Sequence, residues 1–512
     1  MNGKRALRNI ITNIMVQLSL AIAGLLIPRF IMHFYGSEMN GLVSSISQFI
    51  TYAALIEMGI ANSSVIALYK PLAEQNLDEI SEIVSSSRKM YLTSAYVYSV
   101  IILLIAMIYP LLYEGKLEYA FVFELVLCIG AVNAIDYFIL GKYKVLLIAD
   151  QKYYILNITR TVATILMVII SVWLLLIGCS LIMVKFIAIV THLFESLIIS
   201  VYIKNKYKKV NFYCRKTRKI SQRWNALVHQ LCSTITYNTD LVVLTLCLPG
   251  HSLLEISVYS VYSMVLSLLT NFTGSFTTGI NASFGNLMVR GEREKIKKIF
   301  NTYEFVFFIA LFIIYSCFAV LILPFVACYT KGMKDVNYVR MEIGILFALN
   351  GLSAQIKEVA GVIINAAGKY KETQKYAIEE AVSNIVISLI LVKFLGIVGV
   401  LIGTLISHIW MDYRFILYMG DNLIIGTRKQ TIYRLLRNIV LYVGIILSEL
   451  SIIQTNISWL EWGALSLIIV LINSLIIIVI NCIFEKKVVL GILKYGNEYL
   501  KNGKSNKEKY RS

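Results

Sequence analysis

The chain has 512 residues, 58% hydrophobic and 15% charged, with a formal net charge of +18. A soluble globular domain carries about 25% charged residues, and a soluble catalytic domain needs about 100 residues, for which no polar stretch here is long enough. Apolar runs of about 20 residues, each able to cross about 30 Å of hydrocarbon, recur along the chain and point to an all-α integral membrane protein.

Fourteen helical spans are predicted, at 9–31, 42–67, 91–113, 119–141, 156–178, 180–202, 225–248, 253–286, 303–325, 341–366, 377–395, 397–418, 438–455 and 461–483. Helices are the expected form because every backbone N–H and C=O pairs within its own segment. Barrel strands would be about ten residues of alternating polarity, a pattern this sequence lacks. The first span is too long for a secretory apolar region and has no small-residue cleavage site after it, so it is expected to stay in place. It carries Arg29 after Pro28, and the second span carries Glu57 at mid-depth.

Segment 69–90 reads as an amphipathic cytoplasmic helix with Leu72, Leu77, Ile80 and Ile83 on its apolar side, lying at the interface. Segment 290–300 is its shorter, more basic counterpart. Arg160 and Lys185 stand near span ends, where long cations snorkel to the headgroups. His192 and Glu195 share one helix face, which gives either a local hydrogen bond or a proton relay. Asp240 is mid-span in the seventh segment.

The eighth span is unusually polar, with Asn271, Thr273, Ser275, Thr277, Thr278, Asn281, Ser283 and Asn286 beside three glycines. Small and hydroxyl residues allow close helix packing; a hydrated groove for a sugar-bearing ligand is the alternative. The tenth span holds Lys357 and Glu358. Neighbours on a helix point about 100° apart, so one of them is expected to pair across helices. Trp459 and Trp462 at the outer start of the last span, and Trp224 at the inner start of the seventh, fit interfacial aromatic belts.

Two short marks recur. Gly59-Ile60-Ala61-Asn62 is answered 220 positions on by Gly279-Ile280-Asn281-Ala282, and Gln151-Lys152-Tyr153 is answered 223 on by Gln374-Lys375-Tyr376. The near-constant offset predicts one six-helix module used twice in the same orientation, as in parallel repeats. The expected organisation is a lobe at 1–203, a basic cytoplasmic linker at 204–224, a second lobe at 225–419, and two extra helices with a basic tail at 420–512.

Of the 48 Lys and Arg, 38 fall on one side of the expected membrane and four on the other: Lys116, Lys331, Lys334 and Arg340. This asymmetry places both termini in the cytoplasm. The basic charge is thereby a topology signal and an attraction to anionic lipid, not a nucleic-acid interface. Five of the eight cysteines lie in spans and none forms a Cys-x-x-Cys, so no metal or disulfide framework is expected. No phosphate-binding loop, serine elbow or zinc motif is present, which predicts neither catalysis nor a cofactor.

Ionisable groups inside spans cost about 2.5–3.5 kcal/mol at a helix centre and tend to face a cavity or a partner. Arg29, Glu57, Asp240, Lys357, Asn271 and Asn281 are therefore the candidate cavity residues. Glu57 and Asp240 read as protonatable or cation-binding carboxylates, or else as paired acids, with Arg29 or Lys357 the partners that sequence can name. Arg29 has the planar fork that suits phosphate, or it snorkels. Lys357 is a candidate substrate contact.

The runs RNIITN at 8–13, PRFIMHFYGSEMNGL at 28–42, GIANSSVIALYKPLAEQN at 59–76 and the SVYSVYSM and GINASFGNLM stretches within 257–288 resemble bacterial Wzx-type polysaccharide-unit flippases. These belong to the multidrug/oligosaccharidyl-lipid/polysaccharide (MOP) exporter superfamily. The resemblance implies a multi-pass protein of the bacterial cytoplasmic membrane. It would move undecaprenyl-pyrophosphate-linked oligosaccharide for surface polysaccharide by alternating access, with proton or cation coupling and polysaccharide assembly machinery as a possible partner. It also implies that helices 1, 2, 7 and 8 line the cavity. The alternatives are a lipid-linked peptidoglycan-precursor flippase or an ion-coupled small-molecule exporter of the same superfamily, and, from another class, a membrane glycan polymerase or acyltransferase. The short outer loops argue against that last class.

Overall fold

The computed structural model describes residues 3–113, 116–214, 224–248, 252–290, 292–449 and 455–494, apart from the side chains at 3, 4, 6, 224–227, 275–279, 281–283, 286, 289 and 293. Every regular element among the described residues is helical. The chain divides into two compact units, Met1–Ser260 with Gly332–Val336, and Val261–Lys331 with Asn337–Ser512.

The first unit contains α1 (Gly3–Tyr35), α2 (Ser37–Ala53), α3 (Ile60–Ala73), α4 (Leu77–Ile108), α5 (Tyr119–Ile135), α6 (Gly141–Ala149), α7 (Tyr153–Leu176), α8 (Leu181–Lys206) and α9 (Trp224–Cys247). It also takes the first residues of α10 (Ser252–Arg290). The second unit holds the rest of α10, then α11 (Arg293–Tyr329), α12 (Met341–Ala366), α13 (Tyr370–Leu395), α14 (Ile397–Tyr418), α15 (Arg428–Glu449) and α16 (Trp459–Phe484).

Among the described residues, twelve helical stretches are long and apolar enough to cross a membrane. The predicted fourteen are not reached on length and composition, because α9 and α13 fall outside that set. α13 opens with Lys371, Glu372, Lys375, Glu379 and Glu380, and α9 carries Gln230, Asn238 and Asp240 among hydroxyl residues. The outward faces of the others are apolar: Val100, Leu103, Leu104, Met107 and Ile108 on α4, and Leu467, Leu471 and Leu475 on α16, are all exposed. Contiguous apolar surface on that scale is rare on soluble monomers and suits hydrocarbon.

In lipid, close packing and polar contacts hold helices together rather than hydrophobic burial. A Cβ on Gly41 would lie 1.8 Å from the Leu253 carbonyl oxygen, so only glycine lets α2 approach the start of α10 this closely. Beside it, Asn40 Nδ2 donates to Ser257 Oγ at 2.8 Å, and Ser45 and Thr245 share a hydrogen bond of 2.6 Å. Each such contact contributes about 0.6 kcal/mol on average in a membrane.

Four expectations are corrected. Segment 69–90 is not a separate interfacial helix. α3 runs through Pro71 to Ala73, the chain turns at Gln75 (φ 54), and Asn76 Oδ1 caps α4 by accepting from Glu79 N–H, after which α4 continues to Ile108. Segment 290–300 is likewise the end of α10 and the start of α11.

The second repeat mark also differs. Gln151 sits in a turn with φ 56, whereas Gln374-Lys375-Tyr376 lies inside α13. The turn that matches Gln151-Lys152-Tyr153 is Gly368-Lys369-Tyr370, 217 positions on, with Gly368 at φ 67. In both turns the lysine N–H donates back to a carbonyl five residues earlier, Leu147 and Ile364, which is the helix-ending bond pattern that a left-handed residue permits.

The first mark is not equivalent in its two copies. Gly59 (φ 87) follows a 3₁₀ turn at Ala54–Glu57 and breaks the second membrane segment, whereas the backbone of α10 is helical through Gly279. Within unit 2, α15 and α16 are tied to α11 by a buried ion cluster. Arg434 of α15, 1% exposed, pairs with Glu304 of α11 and with Glu485 just past α16.

Candidate functional site

Both units contain charged clusters. The first unit's centres on buried His192 and Glu195, with Asp136, Lys144 and Arg160 half-buried around them. It forms where α5 passes into α6 through a π-helical turn, Asp136–Leu140. An extra residue in a helical turn redirects a side chain, and such bulges gather at functional sites. Here the turn presents Asp136. Lys144 Nζ donates to Asp136 Oδ2 at 2.6 Å, and His192 Nε2 of α8 lies 2.7 Å from Asp136 Oδ1. On the other side of the ring, His192 Nδ1 is 3.0 Å from Glu195 Oε2 and 3.0 Å from Arg160 Nη1 of α7, which also donates to Glu195 at 3.2 Å.

Two hydrogen-bond sets are open to this ring. A carboxylate only accepts, so Nε2 carries a hydrogen toward Asp136. Bare, Nδ1 accepts from Arg160; protonated, it donates to Glu195. Both states satisfy both ring nitrogens, so a proton can come and go without stranding a buried polar atom, which costs about 1–3 kcal/mol. A cavity of ≈ 80 Å³ opens between His192, Glu195, Arg160, Thr164 and Thr191 on one side and Leu20, Val132 and Met167 on the other, large enough for ordered water at its polar side.

Glu57 joins the same cluster. It ends the 3₁₀ turn before Gly59, and its carboxylate faces the hydroxyls of Tyr91 and Tyr137, with Lys144 and Asp136 near enough to act on it electrostatically. Tyr91 reaches this place because Gly141 has no side chain: a Cβ there would stand 2.3 Å from the Tyr91 ring. Three acidic side chains, Glu57, Asp136 and Glu195, thus face two basic ones, Lys144 and Arg160. One proton neutralises the set.

Asp240 lies apart from that cluster. It is 3% exposed on α9 and accepts from the Tyr259 hydroxyl at 2.8 Å. Tyrosine hydroxyls meet both acids, Tyr91 and Tyr137 at Glu57 and Tyr259 at Asp240, partners that the sequence did not single out. Arg29 is half-buried on α1, one residue past Pro28. Asn271 is exposed on α10, and the side chain of Asn281 lies outside the described residues.

In the second unit Lys357 does pair across helices. Its Nζ donates to Glu380 Oε1 of α13 at 2.6 Å, and His408 Nδ1 of α14 is 2.9 Å from the same oxygen. One turn along α14, Asp412 Oδ2 accepts from Ser353 Oγ at 2.8 Å. Arg160 does not snorkel, because Glu195 holds it. Asp136, Lys144, Glu380, His408 and Asp412 were missed by the sequence reading. The available signal was that each is ionisable within or beside an apolar run.

Unit 2 also has an apolar groove of ≈ 350 Å³ between α10, α11 and α16, lined by Val265, Leu269, Cys317, Leu321, Trp462 and Val470 among others.

No family model matches the chain and no curated protein does. Solved structures do. The lipid II flippase MurJ in an inward closed conformation aligns with TM-score 0.61 and 15% identity over 94% of this chain and 100% of its own. A MOP superfamily transporter from Pyrococcus furiosus, whose binding pocket is described as of reverse polarity, aligns at 0.57 and 14% identity over 83% of this chain and 96% of its own. The Vibrio cholerae MATE transporter VcmN, in a mutant form, gives 0.57 and 14% over 82% and 96%. The fold is that of the MOP-superfamily transporters.

Proposed function

We propose that this protein is a flippase that carries undecaprenyl-pyrophosphate-linked oligosaccharide units across the cytoplasmic membrane, by alternating access between lobes at 1–203 and 225–419 and with proton coupling. The fold supports transport. The observation that carries the lipid-linked reading is the apolar groove in unit 2, with one wall supplied by α16. A groove of this kind accepts a hydrocarbon tail, which a carrier of small water-soluble molecules does not need. Glu304, Arg434 and Glu485 fix α15 and α16 in place, so the groove is a built feature.

The coupling part of the reading rests on His192, whose two protonation states are both satisfied by Asp136, Glu195 and Arg160. Asp240, Lys357, Arg29, Asn271 and Asn281 remain proposed cavity residues, and both termini are proposed to be cytoplasmic on the charge asymmetry of the loops. A lipid-linked peptidoglycan precursor is the second reading, favoured by the alignment with a lipid II flippase over the full length of that chain.

A clean deletion tests the substrate. Lipid-linked glycan should accumulate in the inner leaflet and surface polysaccharide should fall. Normal surface polysaccharide, in a cell with no second flippase, counts against the proposal. Loss of peptidoglycan synthesis instead would move the assignment to the second reading.

A further inference from the structure

A further group of charges lies at the linker end of unit 1, and among the described residues it contains no acid. Arg88 of α4, Lys142 of α6 and Lys204 of α8 converge there: the positive charges of Arg88 and Lys204 both act on the Lys142 ammonium. Arg88 and Lys142 are half-buried and Lys204 is exposed. Among the described residues none of the three has a carboxylate within ion-pair distance. Every other cation cluster discussed above is interleaved with acids.

The walls of this place are aromatic and held in position. Arg88 Cζ lies 4.1 Å from the centre of the Tyr213 ring. Lys142 Nζ is 5.9 Å from that same ring and 4.8 Å from the Tyr143 ring. Phe212 packs edge-on against Tyr143 at 5.3 Å. Tyr213 is not on a loose strand. Ser81 Oγ of α4 accepts from Asn211 N–H at 3.0 Å; one turn on, Ser85 Oγ donates to Asn211 O at 3.1 Å and accepts from Cys214 N–H at 2.9 Å. The next turn of α4 delivers Arg88. The start of the basic linker is thus stapled onto α4 by two serines, and the staple closes an aromatic wall over the cations.

Three like charges gathered without a counter-charge repel one another, and a cation is stable there when an anion sits between them. The planar guanidinium favours phosphate oxygens, which it can bind with two parallel hydrogen bonds. The site lies at the linker-bearing end of unit 1, the side that the charge pattern assigns to the cytoplasm, where anionic lipid headgroups are present. We propose that Arg88, Lys142 and Lys204, walled by Tyr143 and Tyr213, bind the phosphate of an inner-leaflet anionic lipid. The site is distinct from the buried His192 cluster and does not depend on what the protein transports.

The test uses the purified full-length protein in detergent with three probes: short-chain phosphatidylglycerol, short-chain phosphatidylcholine and inorganic phosphate. Retention of lipid is read by native mass spectrometry. Phosphatidylglycerol should be retained in preference to phosphatidylcholine, and Arg88→Gln and Lys142→Gln should each weaken retention about fivefold. Lys208→Gln, an exposed lysine on the same segment, should leave it unchanged. Inorganic phosphate that displaces phosphatidylglycerol at millimolar concentration supports the site and shows that the phosphate, not the acyl chain, is recognised. Equal retention of the two lipids, or equal retention by wild type and both variants, overturns the proposal. Should a variant fold poorly, the wild type still decides: phosphatidylglycerol should slow acylation of Lys142, read by peptide mass spectrometry, and an unchanged rate overturns it.

Discussion

His192 Nε2 and Asp136 Oδ1 face each other at 2.7 Å inside unit 1, across 56 residues of sequence. The contact fixes the ring so that its other nitrogen looks at a cation and a carboxylate together, Arg160 and Glu195. A ring held this way changes its proton count without changing its place.

Transport should therefore lose its pH dependence when His192 is replaced. His192→Gln keeps hydrogen-bonding capacity and no titratable group, so the protein should insert and accumulate normally while gradient-driven transport falls about a hundredfold, the lower end of the usual contribution of a positioned proton-transfer group. Asp136→Asn should be similarly damaging, because it leaves Lys144 without its closest partner. Proteoliposomes assayed across pH 5–8, where histidine titrates, give the profile; an unaltered one would remove His192 from the coupling path.

Asp240 and Tyr259 give a second test. Asp240→Asn retains an oxygen to accept the Tyr259 hydroxyl at the same place, so stability should change little. Tyr259→Phe leaves a buried carboxylate short of one donor and should cost about 1–3 kcal/mol. If Asp240 works in the transport cycle, Asp240→Asn abolishes transport in a protein of wild-type melting temperature. Full transport by that variant assigns the acid to packing.

Gly141 has a purely steric role toward Glu57. With the Tyr91 ring 2.3 Å from a would-be Cβ, Gly141→Ala should destabilise the protein by about 1–3 kcal/mol through overpacking. Tyr91→Leu in the same chain should recover part of the loss, and a double-mutant cycle on melting temperature measures the coupling. Additive effects would show that the two residues do not meet.

The Arg434 cluster should be acid-sensitive. Burial works against ionising Glu485, yet hydrogen bonds and charge from Arg434 and Arg437 hold its carboxyl below the usual glutamate range. A depressed carboxyl stabilises the fold above its unfolded value and loses that contribution as pH falls through the folded one. Thermal stability should thus drop on acidification below about pH 4, and Glu485→Gln should flatten the drop while lowering stability at neutral pH. A parallel decline in wild type and variant would contradict this. Glu304→Gln, which leaves part of a buried guanidinium unpaired, should cost about 3–5 kcal/mol.

The helices were legible because about 20 apolar residues in a row have few other uses. Glu57, Asp240 and Lys357 were legible because a charge in such a row stands out. Their partners were not, since Tyr91, Tyr137 and Tyr259 look like ordinary core aromatics until the chain is folded. Asp136 was hidden by its flanks: Val132, Ala134 and Ile135 before it and a run of Tyr, Phe, Ile and Leu after it. The repeat misled in an instructive way. A Lys-Tyr pair occurs at both 369–370 and 375–376, and letter matching chose the second. The physical equivalence is a left-handed backbone position, Gln151 in one turn and Gly368 in the other, and two different residues can meet that need.

The most direct measurement reconstitutes the purified protein in proteoliposomes with a labelled undecaprenyl-pyrophosphate-linked oligosaccharide and follows its movement between leaflets with and without an imposed pH gradient. The expected result is translocation that the gradient accelerates, with the acceleration lost in His192→Gln. Wild-type protein that leaves the labelled lipid in its starting leaflet under every gradient, while the same vesicles move a different MOP-transporter substrate, would contradict the proposed function.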